Sequence, residues 1–347
     1  MRKKFNFWTK TSILLVYLVI ATGGVVRMTG SGMGCPDWPK CFGYYIPPTN
    51  IAELTWMSQK IFQKGQMIIF EDELKMSKNN FTSGSSFNPK NWEDYTKHDY
   101  SKFKPLHTWV EFINRLIGVI CGISVLILGF YSLQFIKNKP ILTFLSLLTI
   151  IAVGFQAWLG KIVVDTNLNP YSITIHMLMA LLIISILIFK YCLSSNYKKN
   201  NVKSIALKNI VLLSLTFTII QILIGTQVRE FIDEQIRFIG EAKKNLWLLV
   251  VPSVFLSHRS FSLLILTVNF FIIYLSKKIN LNSKIIFWIL GIIAIEIFLG
   301  IVMYYFHFPF SSQPLHLLLA TILFGLQFFF YISIRNINQN NNKVIQE

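Results

Sequence analysis

Long runs of apolar residues alternate with short polar segments along the whole chain. Each run comes close to, or exceeds, the ~20 residues that a helix needs to cross a membrane. The pattern predicts eight transmembrane helices, at residues 10–27, 106–136, 140–160, 171–193, 206–225, 247–275, 283–304 and 314–335. The second and sixth runs are longer than a crossing requires, so we expect them to tilt or to project from the bilayer. The fold class predicted is all-α integral membrane protein.

One long polar segment, residues 28–104, separates the first two runs. Its stretch "IAELTWMSQKIFQKGQMIIF", residues 51–70, is amphipathic and predicts one helix lying on the membrane surface. The polar residues that follow, 75–102, predict an irregular loop. Neither part carries a recognisable functional motif.

The composition agrees with a membrane protein, since 53% of the 347 residues are hydrophobic and 14% are charged. A net charge of +17 would suit a nucleic-acid partner, but its distribution argues against one. The N-terminal tail and the linkers after spans two, four and six hold basic residues and no Asp or Glu. By the positive-inside rule both termini are cytoplasmic and 28–104 is periplasmic. We expect a multi-pass protein of a bacterial inner membrane.

Two stretches of the chain repeat one another. "LGKIVVDTNLNPYSITIHMLMALLI" begins at residue 159, and "LGIVMYYFHFPFSSQPLHLLLATIL" begins at residue 299. In both stretches a glycine precedes a histidine by 16 residues, from Gly160 to His176 and from Gly300 to His316. Each stretch therefore ends one span, crosses an outer loop and enters the next span with a histidine.

Two shorter matches occur in the same order, "GGVVR" at 23–27 with "GTQVR" at 225–229, and "NR" at 114–115 with "HR" at 258–259. Such matches predict an internal duplication. We expect two repeated four-helix bundles, with a site inside each. The N-terminal bundle would comprise residues 1–200 with the long outer loop, and the C-terminal bundle residues 201–347.

Ionisable groups inside spans are costly and mark functional sites. His258 and His316 lie at comparable depth in the C-terminal half, as paired histidines that hold a heme iron do. The alternative is a histidine bonded to the backbone of another helix. His176 matches His316, but Asn114 stands where His258 is expected, and asparagine is a poor iron ligand. The C-terminal site is thus predicted to be closed and the N-terminal site open.

Glu111 precedes Asn114 by three residues and shares its helix face. A carboxylate there can accept a proton or stabilise a developing cation. The alternative is an ion pair with Arg27 or Arg115. Glu296, the second acid inside a predicted span, is interpreted as a structural hydrogen-bonding group.

Four arginines recur at matched positions of the repeat. Arg115 and Arg259 adjoin the predicted ligands, and arginine is the preferred partner of carboxylates such as heme propionates. Arg115 would serve the N-terminal site and Arg259 the C-terminal one. Arg27 and Arg229 are expected to reach for the membrane interface instead.

The stretch "GSGMGCPDWPKC", residues 30–41, follows the first span. Its alternating glycines do not match G-x-G-x-x-G and no strand precedes them, so a phosphate loop is excluded. Cys35 and Cys41 leave a metal site, a disulfide or a thiol-oxidising pair open.

The segments "GGVVRMTGSGMGCPDWPKC", "EFINR", "IHMLMALL", "SHRS" and "PLHLLLA" together resemble heme A synthases. The resemblance covers the chain except residues 44–100. It implies an eight-span enzyme that oxidises the C8 methyl of heme O to the formyl of heme A by two successive water-derived hydroxylations. It also implies a heme b cofactor in the C-terminal bundle and the substrate in the N-terminal bundle.

Carried over to this sequence, the resemblance makes His258 and His316 the ligands of heme b. It makes His176 the remaining substrate-side ligand and Glu111 the catalytic carboxylate. Asn114 departs from the family, many members of which have a second substrate-side histidine.

Two further features come from the same comparison. The family pattern pairs Cys35 and Cys41 as a disulfide, and two cysteines without a neighbouring histidine could not complete a zinc site. His107 could stand in for Asn114, but seven residues of helix separate them by ~10 Å.

The implied partners are heme O, a heme O synthase, cytochrome oxidase assembly factors and a quinone that accepts the electrons. A homo-oligomer is left open. Two other readings of the same residues are a quinone-linked b-type cytochrome without methyl oxidation and a thiol-oxidising membrane protein that uses Cys35 and Cys41.

Overall fold

The computed structural model describes residues 2–96, 103–195, 202–281 and 283–335. Within these ranges, eight helices are long and apolar enough to cross a membrane. The helices are α1 Arg2–Met28, α2 Pro105–Ser132, α3 Pro140–Asp165, α4 Pro170–Ser194, α5 Ile205–Ile239, α6 Ser253–Lys278, α7 Lys284–Tyr305 and α8 Ser312–Ile334. The predicted all-α multi-pass membrane fold is confirmed. We call the end of the bundle where α1 ends and α2 begins the loop side.

Several helix ends differ from the predicted spans. Helix α5 continues past residue 225 and ends only at Gly240, whose φ of 94° favours glycine and stops the helix. Helix α6 begins after Pro252, later than predicted. The predictions were based on apolar runs. Such a run marks the part of a helix that lies in lipid, but the helix itself can continue through polar residues. The charged last turns of α5 therefore extend beyond the predicted span on the loop side.

Each half of the chain forms a ring of four contacting helices. Helices α1 and α3 both contact α2 and α4, and helices α5 and α7 both contact α6 and α8. The two rings meet where α1 and α4 pack on α8. Gly24 permits this approach, because a Cβ there would lie 3.1 Å from Pro314 Cα. The predicted boundary at 200/201 lies outside the described residues, and the duplication stays a prediction.

Polar contacts lie inside the rings, while large apolar side chains such as those of Phe144 and Trp288 are exposed. Ser12 and Ser124 hydroxyls lie 3.1 Å apart between α1 and α2. Ser214 accepts hydrogen bonds from Asn269 and Gln327. This arrangement suits helices surrounded by lipid, where interior hydrogen bonds contribute ~0.6 kcal/mol each.

The helix predicted over residues 51–70 is wrong, and so is the irregular loop predicted over 75–102, since strands occur within 73–94 and residues 97–102 lie outside the described ranges. This part of the chain forms a small antiparallel β structure that we call the loop domain, residues 44–96. Its strands are β1 Ile61–Phe62, β2 Met67–Phe70, β3 Glu73–Ser77, β4 Phe81–Thr82 and β5 Trp92–Asp94, in the sheets β1-β4 and β2-β3-β5. Its small core buries Phe62, Ile68 and Trp92. Strand β1 pairs with β4 and β2 pairs with β3, and burial of Phe62 and Ile68 in this core outweighed the local helical pattern.

Candidate functional site

A cavity of about 1200 Å³ lies among α1–α4 on the loop side. Its wall carries Glu111 and Asn114 from α2 and His176 from α4. The end of α5 and the segment after α1 also contribute to it. Arg115 lines it as well, so the structure brings together all four predicted N-terminal site residues. The volume lies above the usual 300–1,000 Å³ range of small-molecule sites, so the cavity has room for a large ligand.

Glu111 is buried at the cavity wall, with 3% of the residue exposed. Its Oε1 accepts a hydrogen bond from Arg115 Nη2 at 2.5 Å, and its Oε2 accepts one from the backbone N–H of Cys35 at 2.8 Å. Of the two predicted ion-pair partners, Arg115 is the one observed. Two charge-assisted contacts therefore fix the orientation of the carboxylate.

The segment after α1 is closed by the predicted disulfide between Cys35 and Cys41, both of which are buried. Arg115 Nη1 donates to the carbonyl oxygens of Asp37 at 2.9 Å and Lys40 at 3.0 Å. We call residues 30–43 the clasp. The Arg115 guanidinium thus joins the clasp to Glu111, and its predicted binding of a heme propionate stays a prediction.

The clasp sits directly on the first turn of α2. A Cβ at Gly34 would lie 2.4 Å from the carbonyl oxygen of His107, so only glycine fits, and Thr108 Oγ1 donates to Gly34 O at 2.8 Å. His107 is not among the described residues that line the cavity. Asn114 is at the wall, where its Oδ1 accepts from Thr22 Oγ1 at 2.7 Å. Whether His107 stands in for Asn114 stays a prediction.

His176 has a buried Nδ1 without a hydrogen-bond partner among the described residues. The ring lies beside Gly160, where a Cβ would be in ordinary van der Waals contact, at 3.5 Å from His176 Cε1. The His176 carbonyl oxygen accepts from Gln156 Nε2 at 3.1 Å. The backbone is thus held while the imidazole remains free, as a ligand of a heme iron requires.

The C-terminal ring brings His258 of α6 and His316 of α8 together, with ring centres 6.2 Å apart. Metal–imidazole bonds are about 2 Å long, so two imidazoles on one metal have ring centres about 6 Å apart. The side chain of His258 fills the space left by Gly225, where a Cβ would lie 3.1 Å from its Cε1. The pair fits one iron between two histidines.

His316 also contacts an acid. Its Nδ1 lies 2.6 Å from Oε2 of Glu296 on α7, which leaves Nε2 for a metal. Metal-ligating histidines generally have such a carboxylate behind them. The sequence predicts that Glu296 is a structural hydrogen-bonding group, and the structure places His316 beside it as the partner. Arg259 is exposed, and its predicted role toward a heme stays a prediction.

The sequence reasoning missed an ionic cluster at the mouth of the cavity. Asp233 of α5 accepts from Arg27 at 2.7 Å and from Arg229 at 2.6 Å, and Arg229 also donates to Gln313. Both arginines thus have a carboxylate partner, and the expectation that they reach for the membrane interface stays a prediction. Arg229 and Asp233 are four residues apart on one helix, a recognisable signal, but the predicted span stopped before them.

Comparison with known proteins identifies the family of the chain. The sequence model of the COX15-CtaA family, described as cytochrome oxidase assembly protein, matches residues 6–328. Relatives named heme A synthase include those of Rickettsia bellii (23% identity over 97% of this chain and 100% of the relative) and Flavobacterium johnsoniae (26% over 92% and 95%). That of Ehrlichia ruminantium is 24% identical over 98% of this chain and 96% of its own. The chain therefore belongs to the COX15-CtaA family of cytochrome oxidase assembly proteins.

Proposed function

We propose that this protein is a heme A synthase, which oxidises the C8 methyl of heme O to the formyl of heme A. The observation that carries the proposal is the contrast between the two ligand sets. His258 and His316 face each other at 6.2 Å, whereas His176 faces a cavity of about 1200 Å³. A closed pair suits a resident cofactor, and an open cavity suits a heme that must enter and leave. The relatives named heme A synthase support the same reaction.

The substrate chemistry needs water and an electron sink. Removal of a hydride equivalent from the methyl leaves a cation, which water attacks to give an alcohol and a proton. A second round gives a gem-diol, which loses water to become the formyl. Overall, the methyl and one water become the formyl with release of four electrons and four protons.

Glu111 is proposed as the group that accepts protons and stabilises the positive charge beside the methyl. Its support is its position at the cavity wall and its orientation by Arg115 and the Cys35 amide. A carboxylate that is already oriented does not have to reorganise when the charge develops. Asn114 and His176 complete the proposed substrate side.

His258 and His316 would hold heme b, with Glu296 orienting His316. When bound, heme b supplies one-electron transfer out of the active site. Arg259 is proposed to serve its propionates. A quinone is the proposed acceptor, because it is the usual electron carrier inside the membrane.

The charge pattern supports an orientation with both termini in the cytoplasm and the loop domain in the periplasm, in a bacterial inner membrane. In that orientation the cavity faces the periplasmic side. Heme O would come from a heme O synthase, and heme A would pass to cytochrome oxidase assembly factors. The family description supports this destination.

The test is heme extraction from cells that express the chain with a heme O source and lack another heme A synthase. Wild type should make heme A. Glu111→Gln should lower the yield by at least ~100-fold, the usual contribution of a general base. Asp165→Asn, which neutralises an exposed acid at the end of α3, is the matched control and should leave the yield unchanged.

Two outcomes would contradict the proposal. Wild type that binds heme b but makes no heme A would be a b-type cytochrome. Heme A production by Glu111→Gln at the wild-type level would remove Glu111 from the reaction. A thiol-oxidising role is disfavoured by the burial of Cys35 and Cys41, at 0% and 1% exposure, because exchange needs access to a sulfur.

A further inference from the structure

Two residues at matched places in the repeat differ in charge. Gln156 lies four residues before Gly160 in "QAWLG", and Glu296 lies four residues before Gly300 in "EIFLG". The same glycines lie 16 residues before His176 and His316. The N-terminal half therefore has an amide where the C-terminal half has a carboxylate.

The two side chains contact the matched histidines differently. Glu296 Oε2 lies 2.6 Å from the ring Nδ1 of His316. Gln156 instead donates its Nε2 to the backbone oxygen of His176 at 3.1 Å. Gln156 Oε1, His176 Nδ1 and His316 Nδ1 are all buried without a hydrogen bond of good geometry among the residues that the structure describes, but His316 Nδ1 has the Glu296 carboxylate in ion-pair contact and His176 Nδ1 has no charged group there. Only one of the two imidazoles therefore has a group behind it.

A carboxylate behind an imidazole changes it as a ligand. It holds the hydrogen on Nδ1, aims the Nε2 lone pair at the metal and makes that nitrogen more basic. Loss of such a partner generally weakens metal binding by about 10–100-fold. An amide bonded to the backbone does none of these things. The competing explanation is that Glu296 only satisfies a polar group inside the membrane.

We propose that the residue at this matched position sets how firmly each ring holds its heme. Glu296 is a positioning residue that retains heme b on His316. Gln156 leaves His176 a weaker ligand, so that the substrate heme enters and the product leaves. The inference rests on the proposed function in that it takes both histidines as heme ligands, but it does not depend on oxidation of the methyl.

The first experiment follows heme loss from purified holoprotein to an excess of apomyoglobin. Glu296→Gln should lose heme b about 10–100-fold faster than wild type. It should also raise the midpoint potential of heme b, because the carboxylate stabilises the ferric state. Asp165→Asn should change neither quantity. Wild-type heme loss in Glu296→Gln would overturn the proposal.

These readouts separate positioning from a structural role. If Glu296 only stabilised the fold, Glu296→Gln would lower the yield of protein, and the folded fraction would keep the wild-type potential and rate of heme loss. Wild type that retains heme b but makes no heme A would refute the proposed function and leave this inference intact.

The reciprocal variant tests the other ring and remains informative if Glu296→Gln does not fold. Gln156→Glu removes the amide that bonds to the His176 backbone and gives the N-terminal ring the acid that the C-terminal ring has at the matched position. We expect more heme O and heme A to copurify, slower transfer of that heme to apomyoglobin and slower turnover. Unchanged retention of the substrate-side heme would contradict the role given to Gln156.

Discussion

The Arg115 guanidinium is the structural link between the clasp and the proposed catalytic carboxylate. It donates to Glu111 and to the backbone oxygens of Asp37 and Lys40. Arg115→Met keeps the length and the apolar stem of the side chain but removes every donor. Glu111 would then remain buried with the Cys35 amide as its partner in the clasp. We expect the clasp to open more often.

The size of the effect follows from burial. Removal of one partner of a buried ion pair costs about 3–5 kcal/mol. The Arg115 side chain is 16% exposed and that of Glu111 5%, so we expect the lower end, about 3 kcal/mol. Since 1.4 kcal/mol is a factor of ten, the clasp should open roughly 100-fold more often.

Hydrogen exchange of single amides measures this opening. The Cys35 N–H, which donates to Glu111, should exchange roughly 100-fold faster in Arg115→Met. The Ser77 N–H, which donates to Gln66 O at 2.9 Å in the loop domain, is an internal reference and should not change. Arg259→Met removes the exposed arginine at the matched position and is the control variant.

A double-mutant cycle with Glu111→Gln identifies the pair as the cause. The two single changes and the double variant should be non-additive, because the double variant leaves no unpaired buried charge. Additivity within ~0.5 kcal/mol would refute the reasoning about the pair. Wild-type exchange of Cys35 in Arg115→Met would refute the link between Arg115 and the clasp.

Two further predictions concern the C-terminal ligand and the acid of the clasp. Gly225→Ala places a Cβ 3.1 Å from His258 Cε1, so the purified variant should hold less heme b and show an altered heme spectrum. Gly291→Ala is the control: a Cβ there meets open space, so the variant should match wild type. Burial raises the pKa of Asp37, whose Oδ2 accepts from the Gly43 N–H. The contribution of Asp37 to clasp stability is therefore present below its unfolded pKa of about 4 and is lost as pH rises through the folded value. Exchange of the Gly43 amide, corrected for its intrinsic pH dependence, should show this loss in wild type and not in Asp37→Asn.

The apolar runs predicted the membrane fold because lipid leaves a helix as the one local way to satisfy the backbone. Hydropathy did not find where helices end. Helix α5 continues through charged residues to Gly240, because charged residues do not end a helix whereas a glycine with positive φ does. The cluster of Asp233 with Arg27 and Arg229 was missed for this reason.

The loop domain shows a different limit. Residues 51–70 have an amphipathic pattern that suits a surface helix, yet Ile61–Phe62 and Met67–Phe70 form strands. Strand β1 pairs with β4, and Trp92 of β5 joins the core beside Phe62. A pairing across tens of residues is set by burial in three dimensions, and the local pattern does not contain it.

The sequence by itself determined the eight spans, the depth of the histidines, Glu111 on the face of Asn114 and, through family resemblance, the disulfide. These features follow from hydropathy periodicity and short motifs, which depend only on residues close together in the sequence. Only the tertiary structure decided that Arg115 binds both Glu111 and the clasp and that Glu296 lies behind His316 while Gln156 turns to a backbone oxygen. The partner of a buried polar group depends on which helix packs beside it, and that is a property of the assembled bundle.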